Sequence, residues 1–147
     1  IMLSESKELA TDFMTSGDLD FLDMSLWDCF KEPEEEEFKG KTLIQHFCEL
    51  ERGATRLGVA CNLRTPQDVT KALEEGVDWI MLGRAAILHH DFPKLYEDDD
   101  QFVPSQIPVS VDYLTQEGLS PKFIEYMSNW GFVDGSVDRM KEAIKKA

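Results

Sequence analysis

The sequence has few basic residues, no long apolar run and few cysteines. Its 147 residues include 15 Lys and Arg against 29 Asp and Glu, a net charge of −14. Nucleic acids and anionic membranes attract positive protein surfaces, so this balance argues against both as partners. No apolar run approaches the roughly 20 residues of a transmembrane helix, and no basic-then-apolar signal peptide opens the chain. We therefore expect a soluble protein.

The cysteines follow no pairing pattern. Cys29, Cys48 and Cys61 lie far apart and show no metal-type spacing. An odd number of cysteines without a Cys-x-x-Cys motif indicates reduced thiols. The sequence therefore predicts free cysteines and a cytoplasmic location.

Length and apolar content indicate about one domain. A chain of 147 residues with 42% hydrophobic residues is sufficient for a buried core. The first residue is Ile1 rather than Met, so a clipped or partial polypeptide is one expectation from the outset.

Strand and helix patterns alternate over the first 96 residues. Strands are predicted at Leu19–Leu26, Arg56–Cys61 and Val77–Leu82, the first of them buried on both faces. A helix is predicted to start at Pro66 with Thr65 as its N-cap. This alternation is typical of βαβ units in a parallel sheet. Further helices are predicted over Ser4–Thr15 and Lys41–Arg52 and from Ala85.

The pattern changes after residue 96. Gln101–Val111 is irregular and contains two prolines, whereas Ser120–Trp130 and Val137–Lys146 have helical spacing. We therefore predict a partial barrel over residues 1–96 and a C-terminal extension with short helices over residues 97–147.

Two predicted turns follow strands, at Cys61-Asn62 and at Gly83-Arg84. Ligands of parallel α/β folds bind beyond the carboxyl ends of the strands. Glycine allows a ligand to approach the backbone closely, the start of a helix attracts anions, and arginine binds phosphate oxygens. The second turn is therefore predicted to bind a phosphate group, the alternative being a tight turn followed by a surface arginine.

The segment Leu57–Pro93 resembles the last two βα units of the Old Yellow Enzyme-like NADH:flavin oxidoreductases. It has the motifs of that family in order: Thr65-Pro66, Gly76-Val77-Asp78, Gly83-Arg84 and Pro93. The stretch LDFLDMSLWD also resembles the sixth strand of the family, and SPKFIEYMSNWGFV resembles its C-terminal segment.

The resemblance implies the C-terminal portion of a (β/α)₈ TIM barrel, with parallel strands, flanking helices and a helical C-terminal tail. It also implies an FMN-dependent oxidoreductase with ene-reductase-like hydride transfer and NAD(P)H as reductant. Cys61 and Asn62 from one turn, and Gly83 and Arg84 from the next, would hold the FMN phosphate. Cys61 stands where the family usually has glycine, which would strain the turn if positive φ is required there.

The part of the family that handles hydride and substrate has no counterpart in this chain, since a whole barrel takes roughly 250 residues. No catalytic residue therefore carries over. We expect the fragment alone to be inactive, and to pair with a missing N-terminal half of the barrel or with a second copy of itself.

Two other functions stay open at this stage. One is another phosphate-binding TIM-barrel enzyme, such as an aldolase or isomerase, and the other is a non-catalytic interaction fragment. Within the sequence, His89-His90-Asp91 is more consistent with a loop than with a metal site, and we predict no metal.

Other side chains near the predicted strand ends could also serve the site. Asp20 and Asp23 are either acid–base groups or capping carboxylates. Ser25 and Trp27 would face the barrel mouth and are candidates for lining a flavin or substrate pocket.

Overall fold

The computed structural model describes the backbone of residues 2–146 and the side chains of residues 2–140 and 142. The chain forms two compact units, Ile1–Gly83 and Arg84–Ala147. The first unit is a mixed α/β structure with a small parallel sheet and flanking helices, which confirms the fold class at that level. The second unit is mainly helical. The predicted domain boundary after residue 96 stays a prediction.

The elements follow the predicted alternation in the first unit. They are α1 (Leu3–Thr15), β1 (Phe21–Ser25), a 3₁₀ turn (Glu36–Phe38), α2 (Leu43–Cys48), β2 (Arg56–Ala60), α3 (Pro66–Glu74) and β3 (Trp79–Met81). The second unit contains α4 (Arg84–Leu88), α5 (Phe92–Asp98), α6 (Val111–Gln116), α7 (Pro121–Ser128) and α8 (Ser136–Lys146).

The three strands form one parallel sheet in the order β1-β2-β3. Met24 lies opposite Val59, which in turn lies opposite Ile80. Because side chains alternate along a strand, these residues share one face. That face packs into a core with residues from α1, α2 and α3, namely Ala10, Met14, Ile44, Phe47 and Ala72.

The opposite side of the sheet, here called the open face, is largely exposed. By register and alternation it carries one set of residues from each strand: Phe21, Asp23 and Ser25 from β1, Arg56, Gly58 and Ala60 from β2, and Trp79 and Met81 from β3. Phe21 is 56% exposed, and Ser25, Arg56 and Met81 are exposed as well. The prediction that the first strand is buried on both faces is therefore wrong, because helices of its unit pack on one face only.

The start of α3 shows why the local sequence signal was reliable. The Thr65 hydroxyl accepts a hydrogen bond from the Asp68 N–H at 3.1 Å, and the Asp68 carboxylate accepts one from the Thr65 N–H at 2.9 Å. Pro66 occupies the first turn, where its missing N–H is not needed. Such a cap stabilises a helix by about 1 kcal/mol, so this helix begins where the sequence predicts.

Hydrogen bonds of Asp78 connect the start of β3 with the start of β2. Its carboxylate accepts a hydrogen bond from the Leu57 N–H at 2.7 Å and another from the Arg52 guanidinium at 3.2 Å. Arg52 also donates to the Gly76 carbonyl at 3.1 Å. The Gly76-Val77-Asp78 motif therefore fixes the register of β3 at the amino edge of the sheet, away from the predicted ligand site.

The second unit has its own core, formed by Leu88, Leu114, Ile124, Met127 and Phe132. An isolated parallel bridge joins Val109 to Val133 between the helices.

Candidate functional site

The two turns predicted to bind phosphate leave from neighbouring strands at the same edge of the sheet. Ala60 at the end of β2 and Met81 at the end of β3 are partners in register. Cys61-Asn62 and Leu82-Gly83 therefore begin side by side at the carboxyl edge. Ser25, the last residue of β1, lies opposite Ala60, so the end of β1 reaches the same edge.

Cys61 is bonded to Cys29, which lies in the loop after β1 and is fully buried. The prediction of free thiols is therefore wrong for these two cysteines. A separation of 32 residues in sequence gives no indication of the pairing, because the fold alone brings the two loops together. Cys48 is free and half-buried, and burial raises the pKa of its thiol to about 11.

The predicted backbone strain at Cys61 is not present. Among the described residues, positive φ values occur only at glycines. Cysteine is therefore compatible with the conformation of this turn.

The hydrogen bonds within the first turn involve its later N–H groups. The Leu63 N–H donates to the Cys61 carbonyl at 2.8 Å, and the Arg64 N–H donates to Asp68 at 3.0 Å. None of the backbone hydrogen bonds described for this turn uses the N–H groups of Cys61 or Asn62 as donors. The Asn62 side chain accepts a hydrogen bond from Arg64 at 2.8 Å.

Gly83 stands in open space at the end of β3. Its φ is not in the left-handed region, and a Cβ built on it would meet no described atom within 4 Å. Neither the backbone conformation nor packing therefore requires glycine here. Glycine leaves the main chain accessible at this point.

Arg84 begins the second unit as the first residue of α4. This helix has only five residues, so its aligned peptide dipoles are few. The predicted electrostatic contribution of the helix start is therefore small, and the charge for a phosphate would come from the Arg84 guanidinium.

The open face places a carboxyl group among aromatic residues. Asp23 lies opposite Gly58, and Gly58 lies opposite Trp79. Phe21 meets the Trp79 ring edge to face, with 5.3 Å between ring centroids. Burial raises the pKa of Asp23, and its Oδ1 atom is buried without a hydrogen-bond partner.

The other predicted candidates lie at opposite edges of the sheet in the first unit. Trp27 is 85% exposed in the loop after β1. Asp20 lines a cleft of about 610 Å³ together with Leu19, Phe21 and Arg56. Because these residues precede or begin β1 and β2, the cleft lies at the amino edge of the sheet, away from the two turns.

The histidine pair occupies two different environments. His89 is buried, and its Nε2 accepts a hydrogen bond from the Ser105 N–H at 2.9 Å. His90 Nδ1 lies 2.8 Å from the Glu117 carboxylate, a hydrogen bond that raises the pKa of His90.

The atoms of His90, Asp91 and Glu117 that could bind a metal ion lie within 4.8 Å of one another. The His90–Glu117 hydrogen bonds account for this grouping, which joins the α4–α5 turn to the end of α6.

In comparisons with known proteins, no family model, curated protein or solved structure matches the chain. Among the described residues, none of the helices has the length and apolar character needed to cross a bilayer.

Proposed function

We propose that this chain is the C-terminal part of an FMN-dependent NAD(P)H oxidoreductase and contributes the phosphate side of the FMN site. The observation that carries the proposal is the register of Ala60 with Met81, which starts both turns side by side. The N–H groups of Cys61, Asn62 and Gly83 would donate to phosphate oxygens. Arg84, which follows directly in the chain, would supply a permanent positive charge.

The proposal includes a (β/α)₈ barrel of which this sheet is a portion. Parallel sheets are normally covered on both faces, whereas here one face leaves Phe21 and Met81 exposed. In a barrel this open face would be the lumen side, with the helices outside. Further strands beside β1 and β3 would close the barrel, supplied by a missing N-terminal half or by a second copy of the chain.

FMN, when bound, would accept hydride from NAD(P)H and transfer it to an electron-poor alkene or a similar small-molecule acceptor. The residues of this chain would bind and orient the cofactor. The aromatic residues of the open face would keep water away from it. We assign no catalytic residue, no metal, no nucleic acid and no membrane partner, and expect the chain alone to be inactive.

A cytoplasmic location is part of the proposal, because NAD(P)H is the reductant that the reaction consumes. The Cys29–Cys61 bond is the observation that bears against it, since disulfides are rare in reducing compartments.

Flavin titrations test the proposal. They use the complete protein of which we propose this chain is the C-terminal part. Three proteins are compared: the wild type, Arg84→Ala and, as a matched control, Arg139→Ala. Each is titrated with FMN and with riboflavin, which lacks the phosphate. Flavin fluorescence measures the binding. Arg139 is exposed in the second unit, so the control removes the same charge elsewhere. We expect only Arg84→Ala to weaken FMN binding, by about tenfold or more, with riboflavin unaffected.

Two results would contradict the proposal. Absence of flavin binding by the wild type would favour another phosphate-binding barrel enzyme or a non-catalytic role. Equal affinities for FMN and riboflavin in all three proteins would remove Arg84 from the site.

One observation favours the non-catalytic interaction fragment as a second candidate. Phe123, Tyr126 and Trp130 form an exposed aromatic row along and just beyond α7, with Phe123 stacked on Tyr126 at 6.0 Å between centroids. Exposed aromatic rows are typical of protein interfaces. Sedimentation velocity of the wild type and of Tyr126→Ser over a range of concentrations would detect such assembly. A compact monomer that binds FMN tightly at low concentration would exclude this candidate.

A further inference from the structure

Arg64 places a positive charge beside the first of the two turns. It lies between the end of β2 and the start of α3, and its Nε donates a hydrogen bond to the Asn62 Oδ1 atom at 2.8 Å. Both residues are exposed to solvent. The hydrogen bond holds the guanidinium next to Asn62, whose main-chain N–H is one of the phosphate donors of the proposed function.

Only part of the Arg64 guanidinium is used within the chain. Nε is the atom bonded to Asn62, whereas no described residue accepts a hydrogen bond from the two terminal nitrogens or forms an ion pair with them. A guanidinium is a rigid, planar fork of N–H donors that matches two oxygens of a phosphate group. The terminal nitrogens of Arg64 are therefore available to an anion in solution.

The charges around this turn require more than one cation for phosphate binding. A phosphate monoester carries about −1.5 to −2 charges at pH 7. The Asp68 carboxylate accepts hydrogen bonds from the N–H groups of Arg64 and Thr65, so an incoming phosphate meets a negative charge at the same turn. The whole chain also carries −14. A single guanidinium, that of Arg84, would leave much of this repulsion uncompensated.

We propose that Arg64 binds the phosphate group of the ligand through its terminal nitrogens, and that Asn62 positions Arg64 by holding Nε. The identity of the ligand rests on the proposed function. Arg64 and Asn62 both belong to the first unit, so this contact does not depend on the second unit, which begins at Arg84. The pair selects for a phosphate monoester, because a ligand without the phosphate gains nothing from the fork.

Three ligands separate recognition of the phosphate from recognition of the flavin. The complete protein is titrated by calorimetry with FMN, with riboflavin and with phenyl phosphate, which has the phosphate without the flavin. The variants are Arg64→Ala, Arg64→Lys, Asn62→Ala and the double variant Asn62→Ala, Arg64→Ala. The control is Arg139→Ala, which removes the same charge from an exposed position of the second unit. Far-UV circular dichroism checks that all variants fold.

We expect Arg64→Ala to weaken the binding of FMN and of phenyl phosphate by about tenfold or more, with riboflavin binding unchanged. Arg64→Lys keeps the charge without the fork and should lose less. Asn62→Ala keeps the main-chain N–H and should weaken FMN binding by about threefold. In the double variant, Asn62→Ala should add no further loss, because it acts through Arg64.

Unchanged FMN affinity in Arg64→Ala, or equal losses for FMN and riboflavin, would overturn the assignment of Arg64 and leave the FMN proposal intact. An additive loss in the double variant would overturn the positioning role of Asn62. If the wild type bound phenyl phosphate through Arg64 but bound neither flavin, the proposed function would be wrong and the assignment would stand. A wild type that binds none of the three ligands would overturn both.

Discussion

Ala60 and Met81 are the last paired residues of β2 and β3, and they lie opposite each other in parallel register. Each is followed by a turn, so two sets of main-chain N–H groups start from adjacent strands at one edge. A phosphate group needs several donors that converge on its oxygens, and adjacent strands lie only about 4.8 Å apart. This pairing is therefore the structural basis of the predicted cofactor contact.

Replacing Gly83 with Ala should separate ligand binding from folding. The free energy of unfolding should change by less than about 0.5 kcal/mol, because φ is not left-handed and an added Cβ has space. FMN affinity should fall by about tenfold, because the methyl group would lie where the ligand approaches the main chain. Urea denaturation and flavin titration measure the two effects.

Gly135→Ala is the matched control, because Gly135 also lacks positive φ and has no described atom within 4 Å of an added Cβ. A large loss of stability in Gly83→Ala, or equal FMN affinity in both variants, would show that Gly83 is a turn residue only.

Replacing Gly58 with Ala should destabilise the first unit. An added Cβ would overlap the Trp79 ring, and such overpacking costs about 1–3 kcal/mol. Urea denaturation followed by Trp fluorescence and by circular dichroism measures the loss. In the double variant with Trp79→Leu the added cost of Gly58→Ala should largely disappear, since neighbouring substitutions that share one clash are not additive. Additive losses would mean that the ring does not lie over Gly58.

Stability should depend on pH through Asp23. Burial raises the pKa of its carboxyl, so the folded chain holds this proton more tightly than the unfolded chain does. The ionised carboxylate therefore lowers stability at neutral pH, and Asp23→Asn should be more stable than the wild type at pH 7. The advantage should vanish as the pH falls below the ordinary Asp value of 3.8. Chemical denaturation at pH 3 and pH 7 provides the test, and an advantage that is the same at both pH values would contradict it.

Reduction of the Cys29–Cys61 bond should destabilise the first unit. A disulfide of this loop length restricts the unfolded chain and typically contributes about 2–4 kcal/mol. Denaturation with and without dithiothreitol measures the loss, which the Cys29→Ala, Cys61→Ala double variant should reproduce.

Cys48→Ala serves as the control for that experiment, because Cys48 is the free cysteine. With its thiol pKa raised to about 11, Cys48 should react slowly with iodoacetamide at pH 7. Alkylation of three thiols in protein unfolded without reductant would show that the bond is absent in solution and would agree with the cytoplasmic location.

The elements that could be predicted from sequence are those whose signal is local. Thr65, Pro66 and Asp68 are neighbours in the chain, and their capping hydrogen bonds form as the sequence indicates. The three strands were also predictable, because apolar residues dominate β1, β2 and β3. The short helices α5 and α6 were missed, since six or seven residues give too little periodicity to distinguish a helix from a loop.

What could not be predicted depends on contacts between distant segments. The Cys29–Cys61 bond joins two loops whose proximity follows from the order of the strands. The spacing of the cysteines in the sequence does not predict this pairing. The exposure of Phe21 depends on which side of the sheet the helices cover. The sequence could not predict that an oxygen of Asp23 is buried without a hydrogen-bond partner. An aspartate within a strand is equally consistent with a surface residue.

The one-sided covering of the sheet also determines how this chain would respond to systematic mutation. Assayed by itself, the protein should tolerate polar replacements at Phe21 and Met81, because water already reaches them. Selection for the proposed enzyme, assembled with its missing strands, should instead reject the same replacements. The difference between the two mutational maps would then show, residue by residue, which positions contact the strands that we propose complete a barrel.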